Sequence, residues 1–520
     1  MLSRFATVLL FWIVGSVAAS RPVNSIPAAV DHAIQQVTEA ELKEYISNLA
    51  SDRLAGRGLG HSGNKEAENY IVGALREGKV APAVANYLQP VEVYSPHLGP
   101  NAALAVSDPE HPLVDLHAGA DFLPQPESSD RAAAGPVIFV QHGVSAASLG
   151  HDDYANVDAR GAIVLALDGA PDTLLHSSQL STEDKADIAA IDRKADDARG
   201  HGAIGLLVIR SYVGDAESLW PANPSVRAAS YRLYGPMHDA PLAIAVISER
   251  AVKPVREALE QRRAVTARLN PDVIAHPLVM DNILGIVEGG RLPAEVVVVG
   301  AHLDHDGLDE AGRIYNGADD NASGTAAVIA MAAAFTRAAA RGALPARSVV
   351  FALWNGEEKG ELGAQYYVAH PQPPRRIVAN INLDMVGRDE DIPDPDDPRY
   401  HGFAKTRAAD NTNVVHLLGY SYAPDLAREA EVANDTIRLT VKEDYDRDSQ
   451  NLVRRSDNWP FIEHGIPAVF LTTGLHPDYH TPTDDTDRID FAKLERITEL
   501  ASRLVWLAAD GETAPRFHAQ

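Results

Sequence analysis

Apolar and polar positions alternate with different periods in different parts of the chain. Leu42, Ile46 and Leu49 recur at helical spacing behind Thr38 and Glu41, which fit a capping box and predict a helix beginning near residue 38. A second helix is expected from Gly63 to about Arg76, reached through the Gly-rich stretch Ser51 to Gly60. Between 131 and 270 short apolar runs dominate: Pro136–Gln141, Ala162–Leu167, Ala203–Ile209 and Leu242–Ile247, with one helix expected over Lys185–Arg199. From Asn282 onward strand and helix patterns alternate: Glu295–Gly300, Ala322–Arg341, Ser348–Leu353, Glu361–His370 and Ile377–Leu383, with an amphipathic helix over Phe491–Ala509. Such alternation predicts an α/β fold, a mostly parallel central sheet flanked by helices, interrupted by a smaller β-rich inserted domain. The expected division is residues 1–20 as a signal peptide, 21–130 as the first part of the main domain, 131–270 as the insertion and 271–520 as the remainder.

Composition narrows the possible partners. At 520 residues the chain is too long for one core. With 45% hydrophobic and 23% charged residues it has the balance of a folded globular protein. The net charge of −26 argues against a nucleic-acid partner, because phosphate binding needs a basic face and no basic stripe is present in the sequence. There is no cysteine, which excludes disulfides, thiolate metal sites and a lipid-modified cysteine anchor, so any metal must be held by His, Asp and Glu. Arg4, the apolar run Val8 to Val14 and the small residues Ala18, Ala19 and Ser20 have the layout of an export signal. No later stretch has about 18 uninterrupted apolar residues. The expectation is an exported protein, periplasmic or extracellular, not held in a membrane once the signal is removed.

The chemistry is carried by polar residues at strand ends. Val296 to Gly300 is a buried-strand run followed by His302 and Asp304; Val349 to Trp354 is followed by Glu357 and Glu358; Ile377 to Leu383 ends at Asp384; Ala468 to Leu471 is followed by His480. Ligands of open parallel sheets bind outside the carboxyl ends of the strands, so four strands deliver these groups to one edge. Asp319 and Asp320 precede an Ala-rich helix whose cap is Asn321 or Ser323. Carboxylates gathered in one cleft repel, and some must either protonate or share a cation. Oxygen and imidazole donors without thiolate suit Zn²⁺, and also Mn²⁺ or Co²⁺. His-Glu-x-x-His and Gly-x-Ser-x-Gly patterns are absent.

The segments Ala301-His-Leu-Asp304, Gly317-Ala-Asp-Asp-Asn-Ala-Ser-Gly324, Asn355-Gly-Glu-Glu-Lys-Gly360, Asn382-Leu-Asp-Met385 and Tyr479-His-Thr-Pro482 resemble, in order, the motifs of the di-zinc aminopeptidases, among them secreted bacterial leucyl aminopeptidases and aminopeptidase Y. The resemblance covers roughly residues 38–80 and 280–510. Arg160-Gly-Ala-Ile-Val-Leu165 and Gly200-His-Gly-Ala-Ile-Gly205 are similar to a protease-associated domain. The resemblance implies the fold of phosphorylase/hydrolase-like zinc exopeptidases and two zinc ions per chain. Asp319 would bridge them, His302 and Asp384 would complete one site, and Glu358 and His480 the other. Glu357 would be the general base, and Asp304 would orient His302. A cis peptide would join Asp319 and Asp320. The implied substrates are peptide or protein N-termini; alternatives are a carboxypeptidase or dipeptidase of the same fold, a glutaminyl cyclase, or a non-catalytic binding protein. His305, Asp306 and His476 stand near the ligands without an assigned role. Asn458 departs from the family pattern, in which a His-aromatic pair often follows Ser-Asp; Glu361 likewise stands where an apolar residue is usual.

Overall fold

In the computed structural model of this protein, the residues described are 26–178, 180, 182–214, 219–220, 230–233, 242–400, 402–448 and 450–520. The export signal expected over 1–20 lies outside them.

Helix Glu39–Leu49 starts where the capping box places it, with the Thr38 side chain accepting the Glu41 N–H at 3.3 Å. The main sheet has ten strands. Four strands at its centre, Arg347–Trp354, Leu292–His302, Arg376–Leu383 and Ala468–Thr472, run parallel. The valine run of the second of these explains its central place. Val297, Val299 and Ala301 face one core, while Val296 and Val298 face the other, so both faces of the strand are covered. Gly300 lies under the Trp354 indole, where a Cβ would stand 2.4 Å from Nε1. The flanks of the sheet are antiparallel: Val273–Val287 beside Arg347–Trp354, and Val414–Leu418 beside Ala468–Thr472. The expected parallel arrangement therefore describes the centre, and the whole sheet is mixed.

Helix Gly324–Ala340 is apolar apart from Thr325, Thr336 and Arg337. Taken with the turn before it, the helical stretch Ala318–Ala340 is long and apolar enough to cross a membrane by composition, but 83% of its most apolar window is buried inside the protein, as expected for a core helix. Helix Phe491–Asp510, capped by the Asp490 side chain accepting the Lys493 N–H at 3.0 Å, packs on the same face of the sheet. Leu362–Ala369 and Trp459–Glu463 cover the other.

A second sheet of eight strands forms the inserted unit. Ala133–Phe139, Ile163–Leu167, Gly205–Arg210 and Ala243–Ser248 are parallel, close to the expected ranges. The helix expected over Lys185–Arg199 is two helices, Thr182–Ala189 and Ile191–Gly200, separated at Ala190, whose extended backbone starts the second. The boundary also moves. Ala103–Asp108, His111–Leu116 and Phe122–Pro124 belong to the second sheet, which therefore runs from 103 to 270 and not from 131. The cause is pairing between the two ends of the segment: Ala103–Asp108 lies antiparallel to Thr266–Asn270. One short strand inside the insertion, Arg232–Leu233, returns to the main sheet and pairs with Tyr94 and Val93.

Candidate metal centre

The ends of the central strands bring the candidate residues into one cleft. His302 is the last residue of its strand, and Asp384 directly follows another. Glu357 and Glu358 open a short turn beyond Trp354, and His480 lies in the loop beyond Ala468–Thr472. His302 Nε2 stands 3.2 Å from Asp384 Oδ1 and 3.8 Å from Glu357 Oε2. His480 Nε2 is 3.4 Å from Glu358 Oε2.

The carboxylate between these two halves is Asp320. Its Oδ1 lies 3.3 Å from His302 Nε2 and its Oδ2 lies 3.0 Å from His480 Nε2. Asp319, expected to bridge, points elsewhere: its Oδ1 accepts the Gly387 N–H at 2.6 Å, and its Oδ2 faces His476 Nε2 at 3.2 Å. The reason is local. The chain leaves helical geometry at Asp320 (φ −105°, ψ 93°), which turns successive side chains in different directions. The cis peptide likewise falls one bond later than expected, between Asp320 and Asn321. Asn321 ties the turn to the neighbouring strand, donating to the Leu383 carbonyl at 2.9 Å and accepting from Gly324 N–H at 2.9 Å. Asp484 accepts the backbone N–H groups of both Asp319 and Asp320.

Asp304 supports the site in two ways. Its backbone carbonyl lies 3.2 Å from His302 Nδ1, and its carboxylate accepts the Glu357 N–H at 3.2 Å. The carboxylate itself is 3.9 Å from His302 Nδ1. Sequence reasoning missed Ser456, whose hydroxyl donates to Asp384 Oδ2 at 2.6 Å, and Arg57. The Arg57 guanidinium is wholly buried behind the cleft and donates to the carbonyls of Leu303, Leu49, Asn316 and Gly317 at 2.6–2.8 Å. The glycines around Arg57 signalled only a loop. Asn458 is buried and donates to the Val453 carbonyl.

The electrostatics are those of a cation site. Burial, reinforced by Glu358, Asp384 and Asp457, pushes the Glu357 carboxyl well above the usual range against the pull of His302. Burial opposes charge on His302, yet Asp384 and Glu357 hold its pKa well above the ordinary imidazole value. His480, partly buried, is raised to about 9 by Glu358 and Asp320. Glu358 is drawn down to about 2, the imidazoles of His480 and His305 overcoming its burial. With protein groups alone, the imidazoles must carry protons to balance the acids. A divalent cation would displace those protons and do the same work. Donor atoms of His302, Asp320 and Glu358 lie within 4.8 Å of one another, as do those of His302, Glu357 and Asp384 and those of Asp306, Glu358 and His480. The residues fit a metal centre of nitrogen and oxygen ligands. Beside them a cavity of about 200 Å³ is lined by Met385, Leu452, Phe470, Leu475, Arg455 and Tyr479.

Residues 282–505 match the profile of peptidase family M28. That part of the chain, which holds all of the candidate ligands, is similar to the M28 peptidases. Among curated relatives, aminopeptidase YwaD of Bacillus subtilis is 26% identical over 416 residues, 77% of this chain and 73% of that protein. An aminopeptidase of Pseudomonas aeruginosa is 24% identical over 388 residues, 72% of this chain. The match spans 63% of the Pseudomonas protein's length. Among solved structures, the aminopeptidase from Aneurinibacillus sp. strain AM-1 superimposes with a TM-score of 0.51 at 17% identity, covering 94% of this chain and 97% of that one. The likeness shows that the fold, insertion included, is shared along nearly the whole chain.

Proposed function

We propose that this chain is an exported exopeptidase that removes residues from the amino ends of peptides, using two metal ions and Glu357 as general base. One observation carries the reading: the Asp320 carboxylate lies between two imidazole-and-carboxylate pairs, His302 with Asp384 and His480 with Glu358, and Glu357 faces the same cleft. The named relatives being aminopeptidases supports the amino-end preference. Asp320 takes the bridging role first expected of Asp319. Zinc is the preferred ion for this donor set, with Mn²⁺ or Co²⁺ as substitutes. The inserted unit is read as a protease-associated-like domain bordering the cleft, and Asp184 of that unit pairs with Arg454 at 2.9 Å, two residues before Ser456.

Bound cations would polarise the peptide carbonyl and lower the pKa of attacking water. The protein supplies the rest. Glu357, with its proton affinity raised by burial, is suited to take a proton from water and return it to the departing amine. Its backbone is pinned by Asp304, which fixes the carboxylate relative to His302. The apolar wall of Met385, Leu452, Phe470 and Leu475 excludes water around the terminal side chain.

The test compares free and N-acetylated aminoacyl anilides on zinc-loaded protein, together with metal counting. Cleavage of the free substrates only, with two ions per chain, is expected. Glu357→Gln should keep its metal and lose about 10²–10⁴ in kcat. Near-normal turnover in that variant removes Glu357 from the mechanism, and equal cleavage of blocked substrates overturns the amino-end assignment.

A further inference from the structure

The chain just beyond His302 contributes two more buried groups, and both face the opposite half of the cleft. His305 is fully buried, and its Nδ1 lies 2.7 Å from Glu358 Oε1. Its Nε2 has no hydrogen-bond partner among the described residues, and a carboxylate oxygen can only accept, so Nδ1 carries the N–H that goes to Glu358. The His305 ring also stands edge-on to that of His480, with centroids 5.6 Å apart. Asp306 is 5% exposed and places Oδ2 3.5 Å from His480 Nδ1. Nε2 of the same His480 ring points into the cleft towards Asp320 and Glu358. His480 has φ 52°, in the left-handed region, which a histidine holds only when its surroundings fix it.

A ring that turns Nε2 to a cation and Nδ1 to a carboxylate has its tautomer fixed, with the proton on Nδ1 and the lone pair on Nε2. A carboxylate with one oxygen engaged by an imidazole N–H presents the other. Glu358 is arranged in this way, Oε1 towards His305 and Oε2 towards His480. We propose that His305 and Asp306 are the positioning residues of the Glu358–His480 half of the metal centre, His305 orienting the Glu358 carboxylate and Asp306 orienting the His480 ring.

The inference rests on the metal reading above. The other half is held by different groups: the Asp304 carbonyl on His302 and the Ser456 hydroxyl on Asp384. The run from His302 to Asp306 thus supplies a ligand to one half and braces both ligands of the other. Damage at 305 or 306 should fall on one ion.

The experiment measures zinc content and the two stepwise dissociation constants by chelator competition. It uses the wild-type protein, Asp306→Ala, Asp306→Asn, His305→Leu and His305→Gln, each also in an Asp384→Asn background that weakens the His302 half. Asp306→Ala and His305→Leu should weaken one ion about 10- to 100-fold. The other ion should be unchanged, and the affected ion should be the one surviving in the Asp384→Asn background. Asp306→Asn keeps an acceptor and His305→Gln keeps a donor, so both should recover most of the affinity. Circular dichroism of the metal-free variants checks folding; if His305→Leu does not fold, the Asp306 pair decides. Unshifted constants in Asp306→Ala, equal weakening of both ions, or failure of Asp306→Asn to rescue overturns the inference. A wild-type protein that binds fewer than two ions refutes the metal reading itself, a result distinct from two ions with unshifted variants.

Discussion

Replacing Arg57 by methionine tests whether the frame behind the cleft is built as described. Methionine fills much of the same volume but donates nothing. Three buried carbonyls, those of Leu49, Leu303 and Asn316, lose their donor together, while that of Gly317 keeps the Ala322 N–H at 3.2 Å. An unsatisfied buried carbonyl costs about 1–3 kcal/mol, so even at the low end the loss is about 3 kcal/mol. Burial pulls the Arg57 pKa down to about 10, which leaves the group charged and its four bonds charge-assisted at neutral pH. Urea unfolding of the metal-free protein measures the loss. Zinc affinity should fall with it, because Leu303 adjoins His302 and Gly317 precedes the Asp320 turn. Arg57→Lys restores only part of the fork and should lie between the two. If Arg57→Met unfolds within about 1 kcal/mol of the wild-type protein, the four bonds do not hold the frame and the reasoning fails.

Three further outcomes are expected. Asp320→Asn should lose at least one bound zinc ion, whereas Asp319→Asn should retain both; metal analysis giving the reverse order would refute the bridging geometry. Gly324→Ala places a Cβ 2.4 Å from the Leu383 carbonyl and from Asn321 Oδ1, and should destabilise by about 1–3 kcal/mol, so an unchanged melting temperature contradicts the packing. Lys194 is buried and donates to the His142 and Gly169 carbonyls; burial lowers its pKa from 10.5 to about 8. Between those values the unfolded chain keeps a proton that the folded one has released, so stability should rise with pH by up to about 3 kcal/mol relative to Lys194→Met, and a flat difference from pH 8 to 10.5 would show that this lysine does not titrate early.

The strand ends were legible because buried parallel strands leave continuous apolar runs, and Val296 to Val299 or Val349 to Leu353 admits few other places. The polar residue that ends such a run is then at the sheet edge. Asp319 and Asp320 were harder to separate. Two identical side chains in succession carry no sign of which faces the cleft; that depends on the backbone turn at Asp320 and on the contacts of Asp319 with Gly387 and His476. The insertion boundary was misplaced for another reason. Short strands such as Ala103–Asp108 acquire their sheet from a partner at the far end of the segment, and no local pattern reports that pairing. Arg57 was illegible because its partners are backbone carbonyls, which every residue possesses.

The small strand Arg232–Leu233 bears on how the two units are joined. An insertion held only where the chain enters and leaves would swing about the line between those two points, as a door swings on its frame. Pairing of Arg232 with Tyr94, together with the Tyr231 hydroxyl on the Leu59 carbonyl, adds a fixed point off that line. The same pairing caps part of the outer edge of Leu88–Leu98, whose backbone groups would otherwise invite a strand from another molecule. Excising residues 103–270 and rejoining the ends would therefore do more than remove a neighbour: it would uncover an adhesive margin on the sheet that remains.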